Sequence, residues 1–369
     1  MFPAALRVLA VGVLGVLAWA SDPQASAADS PARPSPTRPG EPRGPALSFR
    51  KFGGLDYVDV AGIAPWLGLK ISRVEPGRRL SLSAPGRRAE LEADTRDITV
   101  NGLRVFLGNP VVDAGGQLFV SRMDYERCLT PLLRPGYGVA PLRRPQTIAL
   151  DPGHGGKDNG ASANEKAYAL DVALRTKKML EAAGYRVVLT RDDDTFIGLS
   201  QRAAVANAAR ADLFVSIHFN ALANDSKTTG VEVYTFAPQS QNSTNAWGPG
   251  RKLDAESTLA SANAFDHWNV VLAQALQREL LDRLKAPDRG KKLMHLAVLR
   301  PLKCPGVLVE CGFLTSEVEA RKIATPAYRQ QIAEALHAGI RGYVADVEAA
   351  AGNAAATSGK ATVPRQSAG

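Results

Sequence analysis

The feature that most constrains this 369-residue chain is an alternation of strand-like and helix-like segments over residues 147–347. Thr147-Ile148-Ala149-Leu150 is a short apolar run of the length of a buried strand. Residues 166–183 follow as a helix stopped by Gly184, and Tyr185-Arg186-Val187-Val188-Leu189 is the next strand. Leu213-Phe214-Val215-Ser216-Ile217-His218 and Val307-Leu308-Val309-Glu310 are two more. Between them Leu272, Leu276, Leu280 and Leu284 form an i, i+4 stripe opposite Arg278, Glu279 and Asp282, and a last helix is expected over residues 328–344. The pattern predicts an α/β fold, a mostly parallel twisted sheet with helices on both faces. In such sheets ligands bind at the ends of the strands.

Two of the five histidines stand at such ends. His154 lies in the turn Gly153-His154-Gly155-Gly156 that follows the first strand, where glycines let the backbone bend and approach a bound group closely. His218 closes the third strand, ahead of Phe219-Asn220-Ala221. Imidazoles and carboxylates are the usual zinc ligands where no thiol is at hand. Glycine-rich strand-to-helix turns also cradle phosphate, although neither the P-loop nor the dinucleotide fingerprint is present. Spacing alone leaves a suspected metal site.

The motifs go further than the spacing. Residues 151–161, Asp-Pro-Gly-His-Gly-Gly-Lys-Asp-Asn-Gly-Ala, then Glu165-Lys166, Thr190-Arg191-Asp192-Asp193-Asp194, Leu199-Ser200-Gln201-Arg202 and Ser216-Ile217-His218-Phe219-Asn220-Ala221 resemble the zinc-dependent N-acetylmuramoyl-L-alanine amidases of the amidase 3 family. The resemblance continues in order through Asp288-Arg289-Gly290-Lys291, Val298-Leu299-Arg300 and the run Val307 to Leu314. It implies zinc held by His154, Glu165 and His218, with Glu310 as catalytic acid and base. His154 and Glu165 are eleven residues apart, a shorter gap than the family leads one to expect. A glutamate at a helix N-terminus is also favoured by the helix dipole, whatever it binds. Asn220, His295 and Arg300 are the expected substrate-binding residues. The implied activity is peptidoglycan hydrolysis at the amide between N-acetylmuramic acid and L-alanine. The competing readings are a catalytically inactive peptidoglycan-binding protein, and a zinc peptidase or deacetylase acting on another wall bond.

The rest of the chain frames this domain. Arg7, the apolar run Val8 to Ala20 and the small residues up to Ala28 have the form of a secretory signal peptide over residues 1–28. This predicts export, with membrane contact only in transit and the periplasm favoured over the exterior. Residues 29–45 are rich in Pro, Ser and Arg and read as a linker; residues 348–369 read as a disordered tail. Residues 46–140 carry short strand-like segments and the turn pairs Asn101-Gly102 and Gly115-Gly116, as in a small α+β accessory module. Tyr57-Val58-Asp59-Val60, Trp66-Leu67-Gly68-Leu69, Val100-Asn101-Gly102 and Phe119-Val120-Ser121 resemble the copper amine oxidase N-terminal-like domain, which implies a binding or spacing role.

An insertion over residues 238–263, rich in Ser, Asn, Gln and Gly, is expected as a loop near the mouth of the site. It contains Asp254 and Glu256 as possible extra ligands, and is a place where an activator protein would act. The net charge of +9 suits anionic wall polymers, and no nucleic-acid motif accompanies it. Cys128, Cys304 and Cys311 are expected as buried free thiols.

Overall fold

The computed structural model describes residues 47–75, 78–162, 164–246 and 264–359. The expected signal peptide and linker lie outside the described residues, as do Asp254 and Glu256 of the insertion.

The N-terminal segment runs β1 (Phe49–Phe52), β2 (Leu55–Asp59), α1 (Val60–Ile63), β3 (Lys70–Glu75), β4 (Arg79–Ala84), β5 (Arg87–Glu92), β6 (Asp97–Val100), β7 (Leu103–Phe106), β8 (Val112–Asp113) and β9 (Leu118–Ser121). It closes with α2 (Arg122–Asp124), a π-helical turn and α3 (Thr130–Leu133). Then come β10 (Thr147–Pro152), α4 (Glu165–Ala182), β11 (Arg186–Leu189), α5 (Leu199–Ala208), β12 (Leu213–Asn220), β13 (Val231–Phe236), α6 (Asp266–Leu284), β14 (Asp288–Met294), β15 (Gly306–Phe313), α7 (Glu317–Ile323) and α8 (Pro326–Gly359).

The C-terminal half of the sheet has the order β11-β10-β12-β15-β13-β14. Its pairs are parallel except β15 with β13. β13 and β15 are buried along their whole length, as strands covered on both faces are. One face is covered by α4, α6 and α8 through Ile148, Leu150, Val172, Leu272, Leu276 and Ile340. The other is covered by α5 and the turn after β14, through Ala203, Phe214, Phe236 and Leu299. The leucine stripe of α6 faces inward as expected, Leu272, Leu276 and Leu280 being fully buried. Each such leucine contributes about 1.5–3 kcal/mol over an exposed one.

Three findings extend or correct the expectations. First, the small N-terminal module shares its sheet with the rest of the chain: β7 lies parallel to β14, with Lys291 opposite Val105, and one sheet of 11 strands runs through both halves. Each edge strand thereby covers the other's unpaired backbone groups. The seam is reinforced where Arg104 N donates to Asp288 (2.8 Å), Gln277 Nε2 to the Arg104 carbonyl (3.1 Å) and Gln274 Nε2 to that of Val100 (3.2 Å). Arg127 also pairs with the buried Asp266 across it.

Second, the tail expected from residue 348 is helical to Gly359. Its alanine-rich start favours helix, and Ala350 packs against the main core.

Third, the insertion does not leave the sheet at the end that carries the candidate ligands. β13 runs antiparallel to β15, so its end at Phe236 lies beside the start of β15 at Gly306. Ala237 N donates to the Met294 carbonyl there (3.0 Å), and Gly306 N donates to Asn269 Oδ1 (2.8 Å) at the start of α6. Both anchors of the insertion are therefore at the far end of the sheet. The N-terminal segment grips the first of them: Arg96 donates to the Thr244 carbonyl (3.0 Å) and Gln241 Nε2 donates to Asp124 (3.2 Å).

Candidate active site

The turn after β10 is shaped by what surrounds it. Gly155 N and Asp158 N exchange hydrogen bonds with each other's carbonyls in a tight loop (2.9 and 3.1 Å). Directly before it His154 has φ +59°, a left-handed backbone that a side chain rarely adopts. Gly153 is obligatory here, since a Cβ would stand 2.3 Å from the His218 ring.

Glu165 is the first residue of α4, where the helix dipole favours a carboxylate. It is almost fully buried, and its Oε1 lies 3.0 Å from His154 Nε2 and 3.2 Å from His218 Nδ1. It also accepts from Phe219 N (3.1 Å) and Ala161 N (2.5 Å). The ligand atoms of His154, Glu165 and His218 all lie within 4.8 Å of one another. Burial pushes the Glu165 carboxyl up, but the two imidazoles outweigh it and hold it at about 2. For His154 burial works downward, and Glu165 and Asp158 reverse it, leaving the imidazole raised.

Two imidazoles and one carboxylate are a three-ligand set that leaves a fourth position for substrate or water, as in catalytic zinc sites. Glu310 stands next to it. It is the Cα partner of His218 on β15, and its buried Oε2 has no hydrogen-bond partner among the described residues. Burial raises its carboxyl well above the ordinary range, with Glu165 and Glu232 adding to the rise and Lys292 opposing it. A buried carboxylate oxygen with no partner, beside a set of metal-type donors, fits a site that receives a cation and a polar substrate.

Glu232 was not singled out from the sequence. It is the cross-strand partner of Glu310 on β13 and is 2% exposed. Arg289 Nε (2.7 Å) and Lys292 Nζ (2.8 Å) donate to its Oε1. The Tyr234 hydroxyl and Asn220 Nδ2 donate to Oε2. A charged residue within the buried run Val231 to Phe236 was the available signal. Asn220 is thus at the site, though its side chain is occupied by Glu232 and by Ala221 N (2.8 Å).

His295 and Arg300 are not brought to this group. His295 stacks edge-on against Phe236, with ring centroids 5.9 Å apart, and Arg300 lies over the same ring at 6.0 Å. Phe236 is four residues along β13 from Glu232, about 13 Å at strand spacing. Because β13 runs against β15 and β14 runs parallel to β13, the connection from β14 to β15, which carries His295 and Arg300, lies at the opposite end. His267 is structural, accepting from Gly136 N at 2.8 Å.

Beneath the turn lie two buried arginines, Arg191 and Arg202, of which Arg202 pairs with the carboxylate of Asp151. Arg202 Nη1 reaches Asp151 Oδ1 at 2.8 Å, and Thr190 and Ser216 hydroxyls fill its other positions. Burial lowers the Arg191 pKa and the nearby Arg202 charge lowers it further, with Asp151 opposing.

The comparisons with known proteins bear on the same residues. The Amidase_3 profile, described as N-acetylmuramoyl-L-alanine amidase, matches residues 148–342. The chain is similar to N-acetylmuramoyl-L-alanine amidase LytC of Bacillus subtilis, 37% identical over 202 residues, covering 54% of this chain and 35% of that one. It is also similar to N-acetylmuramoyl-L-alanine amidase AmiC of Neisseria meningitidis, 35% identical over 223 residues, covering 55% of this chain and 53% of that one. Among solved structures, the N-acetylmuramoyl-L-alanine amidase from Clostridium difficile 630 is 32% identical, with a TM-score of 0.44, covering 55% of this chain and 98% of that one. The chain thus spans about a third to a half of the length of the two curated relatives. With the profile spanning more than half of its residues, the chain belongs to the N-acetylmuramoyl-L-alanine amidase family, Amidase_3.

Proposed function

We propose that the chain is an exported, zinc-dependent N-acetylmuramoyl-L-alanine amidase that hydrolyses the amide between N-acetylmuramic acid and L-alanine in peptidoglycan. The observation that carries this reading is the convergence of His154, Glu165 and His218 next to the buried, unpartnered carboxylate of Glu310.

His154, Glu165 and His218 would hold the zinc, which when bound supplies Lewis-acid polarisation of the scissile carbonyl and of the attacking water. Glu165 is kept ionised by the two imidazoles and aimed by Phe219 N and Ala161 N. Glu310 takes a proton from the attacking water at its free Oε2 as the water adds to the lactyl carbonyl. Its burial beside two other carboxylates makes it retain that proton. It then delivers the proton to the departing nitrogen of L-alanine, so that the C–N bond breaks to a carboxylate on the glycan and a free amine on the peptide. Glu232 keeps its charge because Lys292 and Arg289 face it, although burial opposes this, and so fixes the floor beside Glu310.

The outer segments complete the proposal. Residues 1–28 are an export signal, and the destination is the periplasm. The N-terminal segment is a copper amine oxidase N-terminal-like unit; residues 46–135 contain no histidine and one cysteine, a poor set of copper ligands. An activator protein working through the 238–263 insertion would act from the far end of the sheet.

The test is a digest of purified peptidoglycan analysed by mass spectrometry. New L-alanine amino termini with intact glycan chains support the reading. Cleavage within the peptide, loss of acetyl groups, or binding without cleavage would replace it by a peptidase, a deacetylase or an inactive binder.

A further inference from the structure

We infer that Arg191 is a positioning residue that sets the separation of His154 and Glu165, and so the affinity of the site for its metal. The inference rests on the assignment of those two residues as ligands under Proposed function.

Arg191 is 4% exposed, and all of its donors go to main-chain carbonyls. Nε donates to Pro152 (3.0 Å) and Nη1 to Asp193 (2.7 Å). Nη2 donates to two carbonyls at once, Gly153 (2.7 Å) and Lys166 (2.8 Å). Gly153 is the residue before His154, and Lys166 is the residue after Glu165. One guanidinium nitrogen therefore ties together the backbones that carry the two ligands.

Other contacts give the tie its direction. Arg202 Nη2 donates to the His154 carbonyl (2.6 Å) and Nη1 to that of Pro152 (2.7 Å), so three successive carbonyls of the turn are held from below. This is what keeps His154 in its left-handed conformation, since such a backbone persists only where its surroundings over-determine it. Among the described residues Arg202 makes no hydrogen bond to α4, and Arg191 does. Lys166 Nζ returns to the Gly156 carbonyl at 2.7 Å as a second strut. The space for Arg191 is reserved by sequence: a Cβ on Gly155 would meet the Thr195 carbonyl at 2.3 Å and Arg191 at 3.0 Å. With the ligands only eleven positions apart, the connection is short and its ends are clamped rather than left to find each other. A lysine cannot replace this arrangement, because an ammonium is a point donor and lacks the planar fork that meets several carbonyls.

The test compares the full exported chain with Arg191→Lys and Arg191→Gln, each stripped of metal. Zinc(II) affinity is measured by competition with a chromophoric chelator, and the ligand field is read from the absorption of the cobalt(II) form. Supporting partners of metal ligands typically contribute 10–100-fold in affinity, so both variants should bind zinc about 10–100-fold more weakly, with altered cobalt bands, while their circular dichroism stays native. A folded variant that binds zinc within about threefold of the parent, with the parent's cobalt spectrum, overturns the inference. So does failure of both variants to fold, since Arg191 would then serve the sheet and not the site. If the parent chain itself binds no zinc, it is the ligand assignment that fails.

Discussion

His218 and Glu310 are Cα partners on the neighbouring parallel strands β12 and β15, so a metal-type ligand and an unpartnered carboxylate stand side by side in the sheet. On its other side Glu310 faces Glu232 across the antiparallel β13. The central strand thus carries the unpartnered carboxyl of Glu310 between a donor set on one flank and a charge-paired carboxylate on the other. Glu310→Gln keeps the shape and removes the proton acceptor. Turnover on peptidoglycan should fall by about 10²–10⁴-fold, the usual contribution of a general acid–base group. Zinc affinity should change little, and a variant with near-parental turnover would remove Glu310 from the mechanism.

Glu232→Gln tests the floor of the site. It strips a single counter-charge from both Lys292 and Arg289, of which the lysine is largely buried. Leaving a buried charge uncompensated costs on the order of 3 kcal/mol. Urea unfolding should show a loss of that size, and Glu232→Gln combined with Lys292→Met should recover part of it. An unchanged midpoint would mean that Lys292 has other compensation.

His267 predicts the sign of one contribution to acid sensitivity. Burial pushes its imidazole down to about 4, from 6.5 in the unfolded chain. The stability this neutral group contributes is complete above 6.5 and drains away as pH falls towards 4, about 3 kcal/mol in all. His267→Gln retains an acceptor for Gly136 N and cannot take up the proton. The stability difference between parent and variant should therefore move against the parent between about pH 7 and pH 4. Asp266 next to it, raised to about 6 by burial against the pull of Arg127, contributes with the opposite sign but equally in both proteins. Parallel stability curves for the two proteins would refute the assignment.

Removing residues 1–140 tests whether the N-terminal segment is part of the folding unit. The cut uncovers the edge of β14 and leaves Lys291 (1% exposed) and Asp266 without their cover. The shortened chain should aggregate or melt well below the full one in a thermal scan followed by circular dichroism. Equal melting temperatures would show that the shared sheet contributes nothing to stability.

The sequence made the strand ends legible, and with them His154 and His218, because a histidine directly after an apolar strand is conspicuous. Glu165 and Glu310 came from motif order and not from periodicity, since a glutamate opening a helix or closing a buried run has ordinary explanations. What escaped was set by strand direction. Nothing in Val231 to Phe236 announces that β13 runs against β15, yet that reversal removes His295, Arg300 and both anchors of the insertion from the site. The same limit hid the seam between β7 and β14, a pairing of strands nearly two hundred residues apart. Arg191 and Arg202 lay in recognised motifs, but a buried guanidinium that binds mostly main-chain carbonyls leaves no spacing signal of its own.

The central claim is most directly tested by titrating zinc into chelator-stripped protein while counting L-alanine amino termini released from purified peptidoglycan. The account predicts no release without metal, recovery that saturates at about one zinc per chain, and no recovery in His154→Ala. Release by the stripped protein, or full recovery in His154→Ala, would contradict it.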